Sequence, residues 1–135
     1  MYRSPLTGFT LIDLLTALAI VAILATITVP SFSGLLARSR RSDAMSALLD
    51  VQLAQERWRA LNVSYAPTLS RLGWTSEASP GGYYRLRITS ADDSGFLVTA
   101  RPVGVQQSDP CGVFAVDAQG PAYGGGFADE GCWRR

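Results

Sequence analysis

From Leu14 to Ala37 the chain runs for twenty-four residues without a charge, and no other feature limits its folding as severely. As an α-helix rising about 1.5 Å per residue, this stretch reaches about 36 Å, enough to cross a hydrocarbon core of about 30 Å. A buried helix of a soluble domain is usually shorter and amphipathic, whereas Leu14 to Val29 is apolar on every side. The residues beyond the span are far more polar. The sequence therefore predicts a single-pass anchor carrying one small soluble domain, because 135 residues leave no room for a second.

Composition removes most catalytic chemistry. All twelve basic residues are Arg, with neither Lys nor His present. Without His there is no Ser-His-Asp or Cys-His arrangement, no imidazole metal ligand and no imidazole base. Without Lys there is no Schiff base and no phosphate-loop lysine. No catalytic residue, metal site or cofactor is expected. Twelve Arg against eleven acids give a net charge of +1, so bulk charge does not favour nucleic acid or a membrane surface, and only a local patch could.

The residues before the span decide what kind of anchor it is. A secretory signal places its cleavage site after the apolar core, but the small-residue candidate here, Leu6-Thr7-Gly8-Phe9, precedes it. The helix is therefore expected to stay in the mature protein. Arg3 favours a cytoplasmic N-terminus, while Arg38, Arg40 and Arg41 lie at the other end, so the charge signal for topology is mixed. Gly8-Phe9-Thr10-Leu11-Ile12-Asp13-Leu14-Leu15 followed by the span resembles the class III signal of type IV pilins and pseudopilins. The resemblance implies a leader at 1–8, cut after Gly8 by a prepilin peptidase that methylates the new amino group of Phe9. It further implies a transmembrane and filament-core helix at 9–37 and a periplasmic head at 38–135.

Two positions in the span need a reason. The family's glutamate is Asp13 here, and a carboxylate costs roughly 2.5 to 3.5 kcal/mol at a span's centre and less towards its end. The resemblance implies that it pairs with the amine of a neighbouring subunit during assembly. Local chemistry offers another role, an N-terminal cap in which Thr10 and Asp13 satisfy each other, and the two roles are compatible. Pro30 resembles the family's proline before an aromatic, here Phe32. With Gly34, it predicts a kink or a melted turn in the helix.

Beyond the span, Ala44, Leu48, Val51, Ala54, Trp58 and Leu61 recur at steps of three and four, predicting a helical core face through Ser42 to Asn62. Breaks are expected at Tyr65 to Gly73 and at Ser79-Pro80-Gly81-Gly82. Two strands follow, Tyr83 to Ser90 and Phe96 to Pro102, alternating with period two. A five-residue loop, Ala91 to Gly95, puts Tyr84, Leu86, Ile88, Phe96, Val98 and Ala100 on one face. That register gathers Arg85, Arg87 and Arg101 on the other, with Arg85 opposite Arg101. Opposed like charges are unfavourable, so the cluster needs a partner: solvent or nearby Asp and Glu, an acidic neighbouring protein, or phosphate, the last making it a candidate DNA or anion patch with Arg134 and Arg135 as further contacts. The acidic Asp92-Asp93 loop counts against strong affinity. A third strand is expected at Gly112 to Asp117, then a turn at Ala118 to Pro121 and a glycine-rich coil.

Cys111 and Cys132 cannot make a zinc site without further ligands, and their spacing is not that of a redox Cys-x-x-Cys. In an extracytoplasmic domain they are expected to form a disulfide. Tyr65 to Gly73, Tyr84-x-Leu86, Thr99-Ala100-x-Pro102, Gln107-x-Asp109-x-Cys111-Gly112 and Cys132-Trp133 resemble minor pilins of the PilE and ComP type. The implied fold is α+β: a long N-terminal helix, its first half transmembrane, packed on an antiparallel sheet with a disulfide-bounded C-terminal region. The implied function is a minor type IV pilin, a non-enzymatic subunit for pilus assembly, adhesion or twitching motility. The alternatives are a ComP-like DNA-binding pilin for DNA uptake and a type II secretion pseudopilin. Implied partners are other pilins, the prepilin peptidase, the inner membrane before assembly and, in the ComP-like case, DNA. The implied location is the inner membrane, then the extracellular pilus.

Overall fold

The structure, a computed structural model, describes residues 8–134. The leader apart from Gly8, including Arg3, and the candidate phosphate contact Arg135 lie outside the described residues. Helix α1 (Leu11–Arg59) is followed by strands β1 (Tyr84–Ala91), β2 (Phe96–Pro102), β3 (Phe114–Asp117) and β4 (Gly120–Pro121), then a short helix α2 (Glu130–Trp133). Short 3₁₀ turns lie at Leu69–Leu72 and Gly104–Ser108. Two compact units, split between Leu36 and Ala37, are described separately.

The first unit contributes a helix long and apolar enough to cross a membrane. Leu14, Leu18, Ile23 and Ile27 are all exposed, as expected of a surface whose solvent is lipid or other spans. The N-terminus of α1 is closed by a reciprocal cap. The Asp13 carboxylate accepts from the Thr10 N–H at 3.0 Å and the Thr10 hydroxyl at 2.7 Å, and Thr10 Oγ1 accepts from the Asp13 N–H at 3.3 Å. The expected melted turn is absent, because α1 continues through Pro30 and Gly34. A proline withholds one hydrogen-bond donor, and the turns on either side of it retain theirs.

In the second unit the head portion of α1 lies on one face of a four-stranded antiparallel sheet of order β1-β2-β3-β4. Ala44, Ala47, Leu48 and Val51 share one buried cluster with Tyr84, Leu86, Val98, Ala100, Phe114 and Val116. Phe114 holds the cluster together at its centre, edge-on to Tyr84 at 5.9 Å and to Trp133 at 5.3 Å. The helical stripe departs from the expected one at its C-terminal end. α1 stops at Arg59, which leaves Leu61 88% exposed, and the fully buried position there is Gln55. Its amide donates to the Ala66 carbonyl at 2.9 Å and accepts from the Ala66 N–H at 2.8 Å, tying the chain after the helix to the helix itself.

The disulfide joins Cys111 to Cys132, with Cα atoms 5.8 Å apart. The region it closes is not all coil. It contains β3, β4 and α2, and Val113 pairs with Phe127. The third strand begins at Phe114 rather than Gly112, whose φ of +62° takes the chain out of extended geometry. α2 was hidden in the sequence because it is only four residues long. It is capped by Asp129, whose side chain accepts from the Cys132 N–H at 2.9 Å.

Candidate functional site

The strand pairing brings Arg85 directly opposite Arg101, with Leu86 opposite Ala100 and Arg87 opposite Thr99. Tyr84, Leu86, Val98 and Ala100 point into the core, so the intervening residues must face outward. Arg85, Arg87 and Arg101 are all exposed. Among the described residues none of the three forms an ion pair. The register is the expected one, but the loop that was to set it is different. Ala91 pairs with Phe96, leaving only Asp92 to Gly95 in the loop, and a bulge between Ile88 and Ser90 absorbs the extra residue. A four-residue loop alone would have mixed the faces; the bulge restores the alternation.

The tight turn is held by Asp92. Its Oδ1 accepts from the Ser94 hydroxyl at 2.6 Å, the Ser94 N–H at 2.8 Å and the Gly95 N–H at 2.9 Å. Led by the Ser94 hydroxyl, these donors hold the Asp92 carboxyl below the usual carboxylate range. The acidic loop thus has a structural task. Tyr65 N–H donates to the Asp92 carbonyl at 2.9 Å and Arg59 reaches the Asp93 carbonyl at 3.2 Å, fastening the turn to the segment after α1. Arg134 does not extend the free cationic face, because it pairs with Glu130 at 2.7 Å.

Beside the arginine face, β1 is the edge strand, and its outer edge is only partly covered. Ala78 bridges to Arg85, and the Leu86 N–H donates to the Glu77 carbonyl. Farther along β1, at Arg87 and Ile88, a groove of about 510 Å³ opens, lined also by Thr68, Ser70, Trp74 and Glu77. Its far wall is the turn Leu69–Leu72, closed by Gly73 at φ +85°, which returns the chain so that the Trp74 N–H donates to the Leu69 carbonyl at 3.1 Å.

A buried polar network positions the opposite end of the head. Arg41 donates to both carboxylate oxygens of Asp109, at 2.7 and 2.6 Å, and the Asp109 side chain is 1% exposed. Burial alone would raise the Asp109 carboxyl, but the Arg41 guanidinium, the Cys111 N–H and the Gln106 amide together bring it below its ordinary value. Gln106 Nε2 lies 2.8 Å from Asp109 Oδ2 and 3.0 Å from the Tyr84 hydroxyl, and burial pushes that phenol up to about 12. Gln107, one of the residues that carry the family resemblance, is exposed; the buried partner is its neighbour Gln106. Among the described residues there is no cluster of His, Cys, Asp and Glu able to hold a metal ion.

The described residues combine a helix long and apolar enough to cross a membrane with a disulfide-closed α+β head whose Arg85, Arg87 and Arg101 form no ion pair among them. Residues 30–115 match the family described as "Type IV minor pilin ComP, DNA uptake sequence receptor", and the chain belongs to that family of structural subunits rather than to any enzyme class. It is 34% identical over 84 residues to the Type IV major pilin protein PilA of Myxococcus xanthus (strain DK1622), a match covering 62% of this chain. The match covers only 37% of that longer relative. A solved structure of a type IV pilin from Shewanella oneidensis is 32% identical, with 62% of this chain and 86% of that chain covered and a TM-score of 0.47.

Proposed function

We propose that the chain is a minor type IV pilin whose head contacts DNA through the outer face of β1 and β2. The observation that carries this reading is the pairing of Arg85 with Arg101, with Arg87 on the same face and none of them in an ion pair among the described residues. Two guanidinium groups opposed across a ladder repel each other, and phosphates along a nucleic-acid backbone relieve that repulsion. Membership of a family described as a DNA uptake sequence receptor supports the same partner.

In this reading the prepilin peptidase cuts between Gly8 and Phe9 and methylates Phe9. The span then holds the subunit in the inner membrane as a single pass with a periplasmic head. Assembly with other pilins moves it into the extracellular pilus. Burial of the apolar helix against other spans lets the subunit leave the membrane without exposing that helix to water. Asp13 supplies the carboxylate that meets a neighbour's amine, and Pro30 gives the helix its bend.

The test is a mobility shift of the full chain in detergent micelles with duplex DNA over a range of salt. Affinity should fall by about 0.9 log units per log unit of salt for each phosphate neutralised, and Arg85→Ala with Arg87→Ala should lower both affinity and slope. A chain that binds no DNA even at low salt would overturn the DNA contact and leave the face to an acidic neighbour in the filament.

A further inference from the structure

We infer that the groove at the open edge of β1 is a pocket for one unpaired nucleotide, its base on Trp74 and its phosphate on Arg87. The inference rests on the DNA-contact reading above and adds to it a site and a state of the DNA. Arg87 belongs to both features: it stands on the outer face with Arg85 and Arg101, and it lines the groove. A strand whose phosphates follow the arginines therefore passes the mouth of the groove. Trp74 is half-buried and packs against the core cluster, so an aromatic ring is fixed in the wall. Stacking on such a ring suits any base, because every base has a π face.

The other lining groups fit the same occupant. The Thr68 and Ser70 hydroxyls, 3.0 Å apart and hydrogen-bonded to each other, keep one O–H and their remaining lone pairs for a ligand, and Glu77 provides an acceptor for an exocyclic amino group. A volume of about 510 Å³ lies within the range of small-ligand pockets. The walls are held in place before any ligand arrives. Glu77 is tied to Leu86, Ala78 to Arg85, and the Leu69–Leu72 turn is anchored by its buried Leu69. A base inside a duplex is stacked on both faces and paired at its edge, so it cannot enter such a groove. An unpaired base, at a strand end, a bulge or a single-stranded stretch, can.

The experiment measures fluorescence anisotropy of labelled DNA with the full chain in detergent micelles, using a blunt duplex, the same duplex with one bulged cytosine, and an oligo-dC strand. The bulged duplex should bind about five-fold or more tighter than the blunt one, the least that one base–aromatic stack contributes. Trp74→Leu should abolish that difference, whereas Trp74→Phe should keep it. Because Trp74 also touches the core, Ser76→Trp, at an exposed lining position, provides a variant that fills the groove without removing a core contact, and it too should abolish the preference. Equal binding of blunt and bulged duplexes by the unaltered chain overturns the pocket and leaves the arginine face standing. Failure of all three probes to bind at low salt overturns the DNA reading and the pocket with it.

Discussion

Arg41 and Asp109, sixty-eight residues apart in the chain, form a two-pronged ion pair at 2.7 and 2.6 Å that fastens the loop before Cys111 to the base of the head helix. The carboxylate is buried and its remaining contacts come from the Gln106 amide and the Cys111 N–H, so it has no water to fall back on. Removing one partner of such a pair leaves the other charged and unpaired, which costs about 3 to 5 kcal/mol. Arg41→Ala and Asp109→Ala should each lower the urea midpoint of the head's unfolding by a correspondingly large margin. A change within about 0.5 kcal/mol would show that the pair is dispensable.

The same carboxylate sets a pH dependence. Its folded-state value is depressed, so it contributes stability that is present above the unfolded value of about 3.9 and is lost as pH falls through the lower folded value. Urea midpoints followed from neutral pH downwards should hold steady to about pH 4 and then fall, and Asp109→Asn should flatten that acid limb.

The opposition of Arg85 and Arg101 predicts a trade between stability and binding. Arg101→Glu turns a repelling cross-strand pair into an attracting one and should stabilise the head by about 0.5 kcal/mol. It should at the same time weaken duplex binding more than Arg101→Ala does, because it places a negative charge in the phosphate path. Denaturation and mobility-shift measurements on the two variants check both halves, and a destabilised Arg101→Glu protein would contradict the pairing.

At the other end of the chain, Asp13 is engaged by the Thr10 N–H and hydroxyl, so the capping role is occupied in the isolated subunit. Asp13→Ala should still be cleaved after Gly8 but enter pili poorly, whereas Asp13→Glu should be incorporated. Thr10→Ala removes the hydroxyl while leaving the carboxylate and separates the roles: normal incorporation of this variant assigns the assembly defect of Asp13→Ala to the lost carboxylate. Immunoblots of sheared pili read all three.

The disulfide closes a loop with a sequence separation of 21, for which chain entropy gives a stabilisation of roughly 3 kcal/mol. Cys111→Ser should lower stability by about that amount. Amide exchange should quicken between Gly112 and Trp133, where buried Ala128 and the Trp133 contact with Phe114 depend on the closed loop, while the head portion of α1 keeps its protection.

The uncharged run from Leu14 to Ala37, the period-two strands and the two cysteines were enough, by themselves, to determine a helix long and apolar enough to cross a membrane, a sheet with one buried face and a closed C-terminal lobe. These are local properties: hydropathy, spacing and redox chemistry act on residues near in sequence or on pairs with no other partner. The shared face of Arg85 and Arg101 was legible from the alternation, since burying Tyr84, Leu86, Val98 and Ala100 together excludes the one-residue slip that would turn a strand over. What only the tertiary structure decided lies where distant segments meet. The bulge at Thr89 compensates for a loop one residue shorter than the alternation suggested. Gln55 and Gln106 are polar and so carry no hydropathy signal. Ala66 satisfies both ends of the Gln55 amide, and Asp109 and Tyr84 engage the Gln106 amide nitrogen, while Gln106 Oε1 is buried without a hydrogen bond among the described residues. The groove beside Arg87 has no sequence signature at all, because it is a gap left between β1 and a loop that the sequence marks only as a break.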